Sequence, residues 1–224
     1  DAFAKIGKVG LGGVAISPDF NTLWTVNLNT GNIVRVGNLR TTPSSVEIPI
    51  ATAPTCPNGE FRPMAVKQRQ GLIYIGGVCT GENGGTNNDL SASVHTFDPR
   101  TGEWKEAIQI SMANNQYNHG DVVGNVNPNL SQCREWEPWV DEYTERNKVA
   151  NTALGEPSAI FDGNFEIVGG GPTGAEFRCR AQAMMSDIEF TSDGIMVMSF
   201  TDRTGHQLGY RQFRPDTTTG NPIS

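Results

Sequence analysis

The sequence predicts an all-β protein: a β-propeller, or part of one, built from four-stranded antiparallel blades with an irregular insertion. Three observations carry this expectation. Among 224 residues, 26 are Gly and 13 are Pro, a load that suits many short strands joined by turns. One hairpin pattern recurs along the chain. Its first two copies begin at Gly13 and Pro63, 50 residues apart, close to the period of a propeller blade.

The copies follow in order. "GVAISPDFNTLWTVNL" (13–28), "PMAVKQRQGLIYIGGV" (63–78) and "SDIEFTSDGIMVMSF" (186–200) each read as an alternating strand, a polar turn and a more apolar strand. Their turns carry Asp-Phe-Asn, Gln-Gly and Asp-Gly, the last a strong tight-turn signal. In the first unit "NIVRV" and "VEIPI" supply third and fourth strands, and in the second "ASVHTFDPRTGEWKEAIQI" (92–110) does so around Asp-Pro-Arg-Thr-Gly. "GYRQFRPDTTTGNPIS" (209–224) begins the same continuation for the third. A four-stranded sheet cannot cover both of its own faces, so neighbouring units must stack on it. A two-layer β-sandwich is the competing architecture, and the regular four-strand period favours the propeller.

Two stretches depart from the pattern. Residues 111–154 form the irregular insertion, whose charged, Trp-bearing part predicts a short helix near 137–148. "PSAIFDGNFEIVGGG" (157–171) reads as a further hairpin around Asp-Gly. "AFAKIGKV" at the start reads as the outer strand of a preceding blade. The whole of 1–224 is thus expected to be one propeller-like domain and a fragment of a longer chain, since Asp1 follows no charged-then-apolar leader.

Charge and cysteine usage narrow the partners. Lys and Arg number 17 against 24 Asp and Glu, a formal charge of −7 that disfavours nucleic acid and anionic membrane surfaces. No apolar run is long enough for a transmembrane helix. Cys56, Cys79, Cys133 and Cys179 show no CxxC pair and no His at zinc spacing, so disulfides in an oxidising compartment are expected rather than a metal cluster. Of the three possible pairings, Cys56 to Cys79 with Cys133 to Cys179 is the natural one, because Cys56 precedes one candidate strand and Cys79 ends the next. Four buried free thiols are the alternative.

"KIGKVGLGGVAISPDFNTLWTVNL", "FRPMAVKQRQGLIYIGGVC", "EPW" and "MSDIEFTSDGIMVMSFTDRTGHQLGY" resemble the propeller-like region of large bacterial surface proteins. Those proteins often also carry serine-aspartate-repeat (SdrD) B-type immunoglobulin-like modules. The resemblance covers most of the chain, less clearly 111–135 and 157–180. It implies a secreted or surface-anchored structural or adhesive protein without an assigned reaction. The expected location is extracellular, at a bacterial cell surface. The expected partners are other blades or domains of the same longer protein, further copies of itself, a glycan or another surface protein.

Candidate chemistry is sparse. No GxSxG, HExxH, Walker or CxxCH motif occurs, and the three histidines are His95, His119 and His206. His95 alternates along a strand, and His119 lies near Asp121 in a polar loop. Asp187 and Glu189 share one strand face by the two-residue period. On an innermost strand they would point into a central channel and bind a cation, as in calcium-dependent lactonase-type propellers. The matching positions in the other units, Val14 with Ile16 and Met64 with Val66, are not acidic, so no ligand ring is visible and no cofactor is expected, calcium being the one alternative. Glu82, Asn83, Asn87, Asn88 and Asp89 offer oxygen ligands in a loop, but without EF-hand spacing they read as a solvated turn. Trp136 and Trp139 would stack on a sugar or anchor a partner if exposed, and would plug the insertion onto a blade if buried. Asp202, Arg203 and His206 fall in the connection to a third strand. Three functions compete: a structural or adhesive surface module, a calcium-dependent lactonase or hydrolase, and a carbohydrate-binding propeller.

Overall fold

The computed structural model describes residues 2–113, 136–141, 160–161, 167–168, 181–208, 214–215 and 222–223. Its first sheet is the antiparallel series β1 (Leu11–Ile16), β2 (Leu23–Asn27), β3 (Asn32–Gly37) and β4 (Ser44–Ile48), in that spatial order. The second repeats it with β5 (Phe61–Arg69), β6 (Leu72–Cys79), β7 (Ser91–Asp98) and β8 (Glu103–Ser111). Three antiparallel pairs follow: β9 (Ile160–Phe161) with β10 (Ile167–Val168), β11 (Ala183–Phe190) with β12 (Met196–Asp202), and β13 (Arg214–Pro215) with β14 (Pro222–Ile223). Two short helices complete the described chain, α1 (Ala2–Lys5) and α2 (Arg203–Leu208). The all-β class and the four-stranded antiparallel sheets are therefore as the sequence predicts.

Turn chemistry sets the registers. Gln70 and Gly71 both take positive φ (51° and 81°), as a two-residue hairpin loop between twisted strands requires. "NLNTGN" and "DPRTGE" make one turn twice. The N–H of Gly31 donates to the Asn27 carbonyl and that of Gly102 to the Asp98 carbonyl, each at 2.8 Å. The Asn27 and Asp98 side chains then accept from the backbone two residues on. Hydrogen bonds from Arg100, backed by its charge, hold the Asp98 carboxyl down at about 2.

The first strand of each unit breaks register once: between Leu11 and Val14 in β1, Pro63 and Ala65 in β5, and Met185 and Asp187 in β11. Pro63, which has no N–H to give the ladder, sits where a bulge accommodates it.

Strand alternation gives the second sheet two apolar faces. Val66, Ile73, Ile75 and Phe97 pack against Ala15, Trp24, Val26 and Ile33 of the first sheet. Ala65, Val78, Ala92 and Val94 pack against Ala183, Met184, Met185 and Ile188 of β11. β5 consequently lies between β1 and β11, touching both. Gly76 makes the second contact possible, because a Cβ there would stand 2.1 Å from Met185 Sδ. Each fully buried Ile in these layers contributes on the order of 2 kcal/mol.

Four expectations are corrected. "AFAKIGKV" is not a strand: Ala2–Lys5 is helical, and the chain then turns beneath Trp139 and Met184 at Gly7. The connection that carries Arg203 and His206 is the helix α2, and Asp202 is the last residue of β12. Of the helix expected near 137–148, residues 137–141 are not helical, because their backbone bonds go to other segments, Glu137 N–H to Ala181 and Trp139 N–H to Thr80, and 142–148 lie outside the described residues. The third unit is a two-stranded sheet in the described residues, β13 and β14 pairing with each other and not with β12.

Candidate functional site

The three first strands converge around an open pocket of about 300 Å³. Ile6, Met64 and Met184 form its apolar walls, and Ser186, Thr201 and His206 supply its polar side. His206 Nε2 and Thr201 Oγ1 are 3.1 Å apart. Gly12 and Gly13 let β1 approach the backbone of β5, since a Cβ on Gly12 would stand 2.6 Å from the Met64 carbonyl oxygen.

Arg203 lies next to this pocket and holds one of its lining residues, Ile6. The residue is fully buried and opens α2 directly after β12. Its Nε donates to the Ile6 carbonyl (2.8 Å), Nη1 to the Val140 carbonyl (2.6 Å) and Gln182 Oε1 (2.9 Å), and Nη2 to the Ala4 carbonyl (3.1 Å) and Asp141 Oδ1 (3.0 Å). The guanidinium also lies 4.5 Å from the Trp139 ring centre. Burial pushes its pKa down, and Asp141 opposes that. Lys8 bridges Glu82 and Asp141, and Arg62 joins the same network through Glu60 and Glu82. One cation with five partners thus ties the N-terminal segment, residues 139–141 and β12 into a unit. The sequence reading placed Arg203 in a connection and missed this role, and it missed Gln182 altogether.

The expected site residues distribute as follows. Cys56 and Cys79 form a disulfide with their Cα atoms 5.3 Å apart, while Cys133, Cys179 and His119 lie outside the described residues. Trp136 and Trp139 are 8% and 2% exposed, and the Trp139 indole N–H donates to the Ala183 carbonyl at 2.9 Å. Sugar stacking needs an open ring face, so the exposed shelf is replaced by a plug joining the insertion to β11. Asp187 and Glu189 share the face of β11 that the register pairs with Ser199 and Val197. Glu189 ion-pairs with Lys67, whose hydrogen bond lowers its carboxyl pKa, and Asp187 Oδ1 accepts the Ile188 N–H at 2.8 Å. Among the described residues no three His, Cys, Asp or Glu side chains converge to hold a metal ion.

The 80–90 loop is divided. Glu82 turns inward to Lys8 and Arg62, whereas Asp89 accepts from Thr86 N–H (2.7 Å) and Asn58 Nδ2 (3.4 Å) and is held ionised by them. His95 is buried between hydroxyls, with Thr52 Oγ1 and Ser93 Oγ each 2.9 Å from a ring nitrogen and Phe61 packed edge-on.

Fold and site together define an all-β protein of stacked antiparallel sheets with a disulfide and a mostly apolar junction pocket. No family model matches the chain, and no solved structure matches it. Among curated proteins it is similar to Colossin-A of Dictyostelium discoideum, 28% identical over 173 residues. That match takes in 74% of this chain and about 1% of the length of Colossin-A.

Proposed function

We propose that the chain is an extracellular structural or adhesive module, a β-propeller or part of one, that works through protein contacts rather than catalysis. The observation that carries the reading is the placement of β5 between β1 and β11, with the second sheet covered on both faces by its neighbours. Radially stacked blades have this order, whereas a two-layer sandwich leaves one face of each sheet to solvent. The Cys56–Cys79 bond supports an oxidising, extracellular location. The distant likeness to a small part of a far longer protein supports a role as one module among others. Its partners in this reading are neighbouring sheets of the same polypeptide, further copies of itself, or another surface protein.

The reading is tested with antibodies raised against the purified chain. They are expected to label intact source cells or their medium, and labelling that requires permeabilisation would overturn the extracellular assignment. Calcium-dependent turnover of esters or lactones by the purified chain would replace the structural reading with a catalytic one.

A further inference from the structure

We infer that Lys8 and Glu82 are the two halves of an intramolecular amide cross-link, which the folded chain makes by condensing the amine with the carboxyl group. Three segments bring the reacting groups together. Lys8 lies in the turn after α1, Glu82 in the 80–90 loop after β6, and Asp141 at the end of the 136–141 stretch. Lys8 Nζ donates to Asp141 Oδ2 at 2.6 Å and touches Glu82 Oε2. That Glu82 oxygen is buried and without a hydrogen-bond partner, so Lys8 meets it in contact but outside hydrogen-bond geometry. The Glu82 side chain is 8% exposed and that of Lys8 15%. Residues 138 and 139 cover the loop, the Trp139 N–H donating to the Thr80 carbonyl while Pro138 packs against Gly81. An amine and a carboxyl group fixed in contact, with water largely excluded, react as one molecule and not as two.

The step balances within the cluster. The Lys8 ammonium passes a proton to Asp141 Oδ2 along their hydrogen bond, and the freed amine lone pair attacks Glu82 Cδ. Arg62 Nη2, 3.3 Å from Glu82 Oε1, bonds the negative charge that gathers on that oxygen. The N–C bond forms, the Cδ–Oε2 bond breaks, and Oε2 leaves as water with the proton carried by Asp141 and a second one from the nitrogen. Asp141 suits the part of proton carrier, being 43% exposed and held on its other oxygen by Arg203. Condensation removes one charge of each sign from the network. Arg62 keeps Glu60 and Arg203 keeps Asp141, so no buried charge is stranded, and the desolvation cost of the Lys8–Glu82 pair disappears. Lys67 and Glu189 are the contrast: they also touch, but Glu189 is 56% exposed and its ion pair stays hydrated. The cross-link is one event within the chain and not turnover, so it goes beyond the structural reading and does not depend on it.

Mass spectrometry of the folded, purified chain, reduced and denatured just before measurement, tests it. The wild-type chain is expected to be lighter than its sequence by one water, and its digest to contain the Lys8 peptide joined to the Glu82 peptide. Lys8→Arg and Glu82→Ala are expected to restore the full sequence mass. Asp141→Ala, which removes the proton carrier, is expected to leave most of the chain uncondensed when wild type is complete. A wild-type chain at its full sequence mass overturns the inference, and that measurement needs no variant to fold. So does a missing water that maps elsewhere, such as a cyclic imide at Asp193-Gly194, or a joined peptide that contains Asp141 in place of Glu82.

Discussion

Arg203 and Val140 stand 63 residues apart in sequence, yet Arg203 Nη1 donates to the Val140 carbonyl at 2.6 Å inside the core. The same guanidinium holds the carbonyls of Ala4 and Ile6, from the far end of the chain. Backbone carbonyls at three places that lie outside any sheet ladder find their donor in one side chain.

Removing that side chain takes this donor from the Ala4 and Ile6 carbonyls, leaves Val140 to Gln207 Nε2 alone and leaves Asp141 to Lys8 alone. Arg203→Ala is expected to destabilise the fold by about 3–5 kcal/mol, the cost of breaking a buried, hydrogen-bonded charge. Arg203→Lys keeps the charge but lacks the planar fork, so it recovers only part of the loss. Urea unfolding of the three proteins measures this. Equal stability of Arg203→Ala and wild type would show that the network is dispensable.

At Gly76 the second sheet packs against β11 with no room for a side chain. A methyl group there meets Met185 Sδ at 2.1 Å and Ile188 Cδ1 at 2.9 Å. The thioether can swing away, and the Ile cannot move as easily. Gly76→Ala is expected to cost about 1–3 kcal/mol by overpacking. Adding Met185→Ala should give a double variant more stable than the sum of the two single losses predicts, because each change relieves the other. Strict additivity in thermal or urea unfolding would contradict the packing described.

What the sequence made legible was local. Alternation and turn residues located β1–β8, β11 and β12, because a strand with one face in a core must repeat every two residues and its turn must supply positive φ. Long-range roles were not legible. "DPRTG" and "TDRTG" offer the same short signal, yet the side chain of Arg100 is 75% exposed and that of Arg203 wholly buried. Nothing local separates them, since the partners of Arg203 come from residues 4–6, 140–141 and 182. The N-terminal "AFAKIGKV" misled for the same reason: its β-like alternation is overridden by the carbonyl contacts to Arg203. The two tryptophans were recognised as a pair, but whether their rings face solvent depends on β11, more than 40 residues on.

His95 gives the fold a pH dependence of definite sign. Burial lowers its pKa below the ordinary value near 6.5, with Glu106 opposing the shift weakly. The unfolded chain therefore binds a proton that the folded one resists. Its contribution to stability is fully present above about pH 6.5 and is lost as the pH falls through the lowered value. His95→Gln keeps hydrogen bonding to Thr52 or Ser93 but cannot take up that proton. Thermal midpoints measured between about pH 7 and 5 should fall more steeply for wild type than for His95→Gln. The depressed carboxyls of Asp98, Glu47 and Asp89 titrate lower, so their loss adds only at more acid pH. Parallel pH profiles would remove His95 as the source.

The disulfides give the last prediction. Cys56–Cys79 ties the connection between the two four-stranded sheets to the end of β6, closing a loop of 23 residues. Restricting an unfolded loop of that length stabilises the fold by about 3 kcal/mol. Trp136 and Ala181 form a parallel bridge, and the Glu137 N–H donates to the Ala181 carbonyl at 2.7 Å. Cys133 lies three residues before Trp136 and Cys179 two before Ala181. Both cysteines lie outside the described residues, and with Cys56 and Cys79 already joined the remaining pairing is Cys133 with Cys179. A second bond there would add about 4 kcal/mol because its loop is longer. Peptide mapping without reductant is expected to recover Cys56–Cys79 and Cys133–Cys179, with no titratable thiol in denaturant. Finding Cys133 or Cys179 free, or crossed with the first pair, would refute the second bond. Reduction should then lower stability by the contribution of the first bond alone.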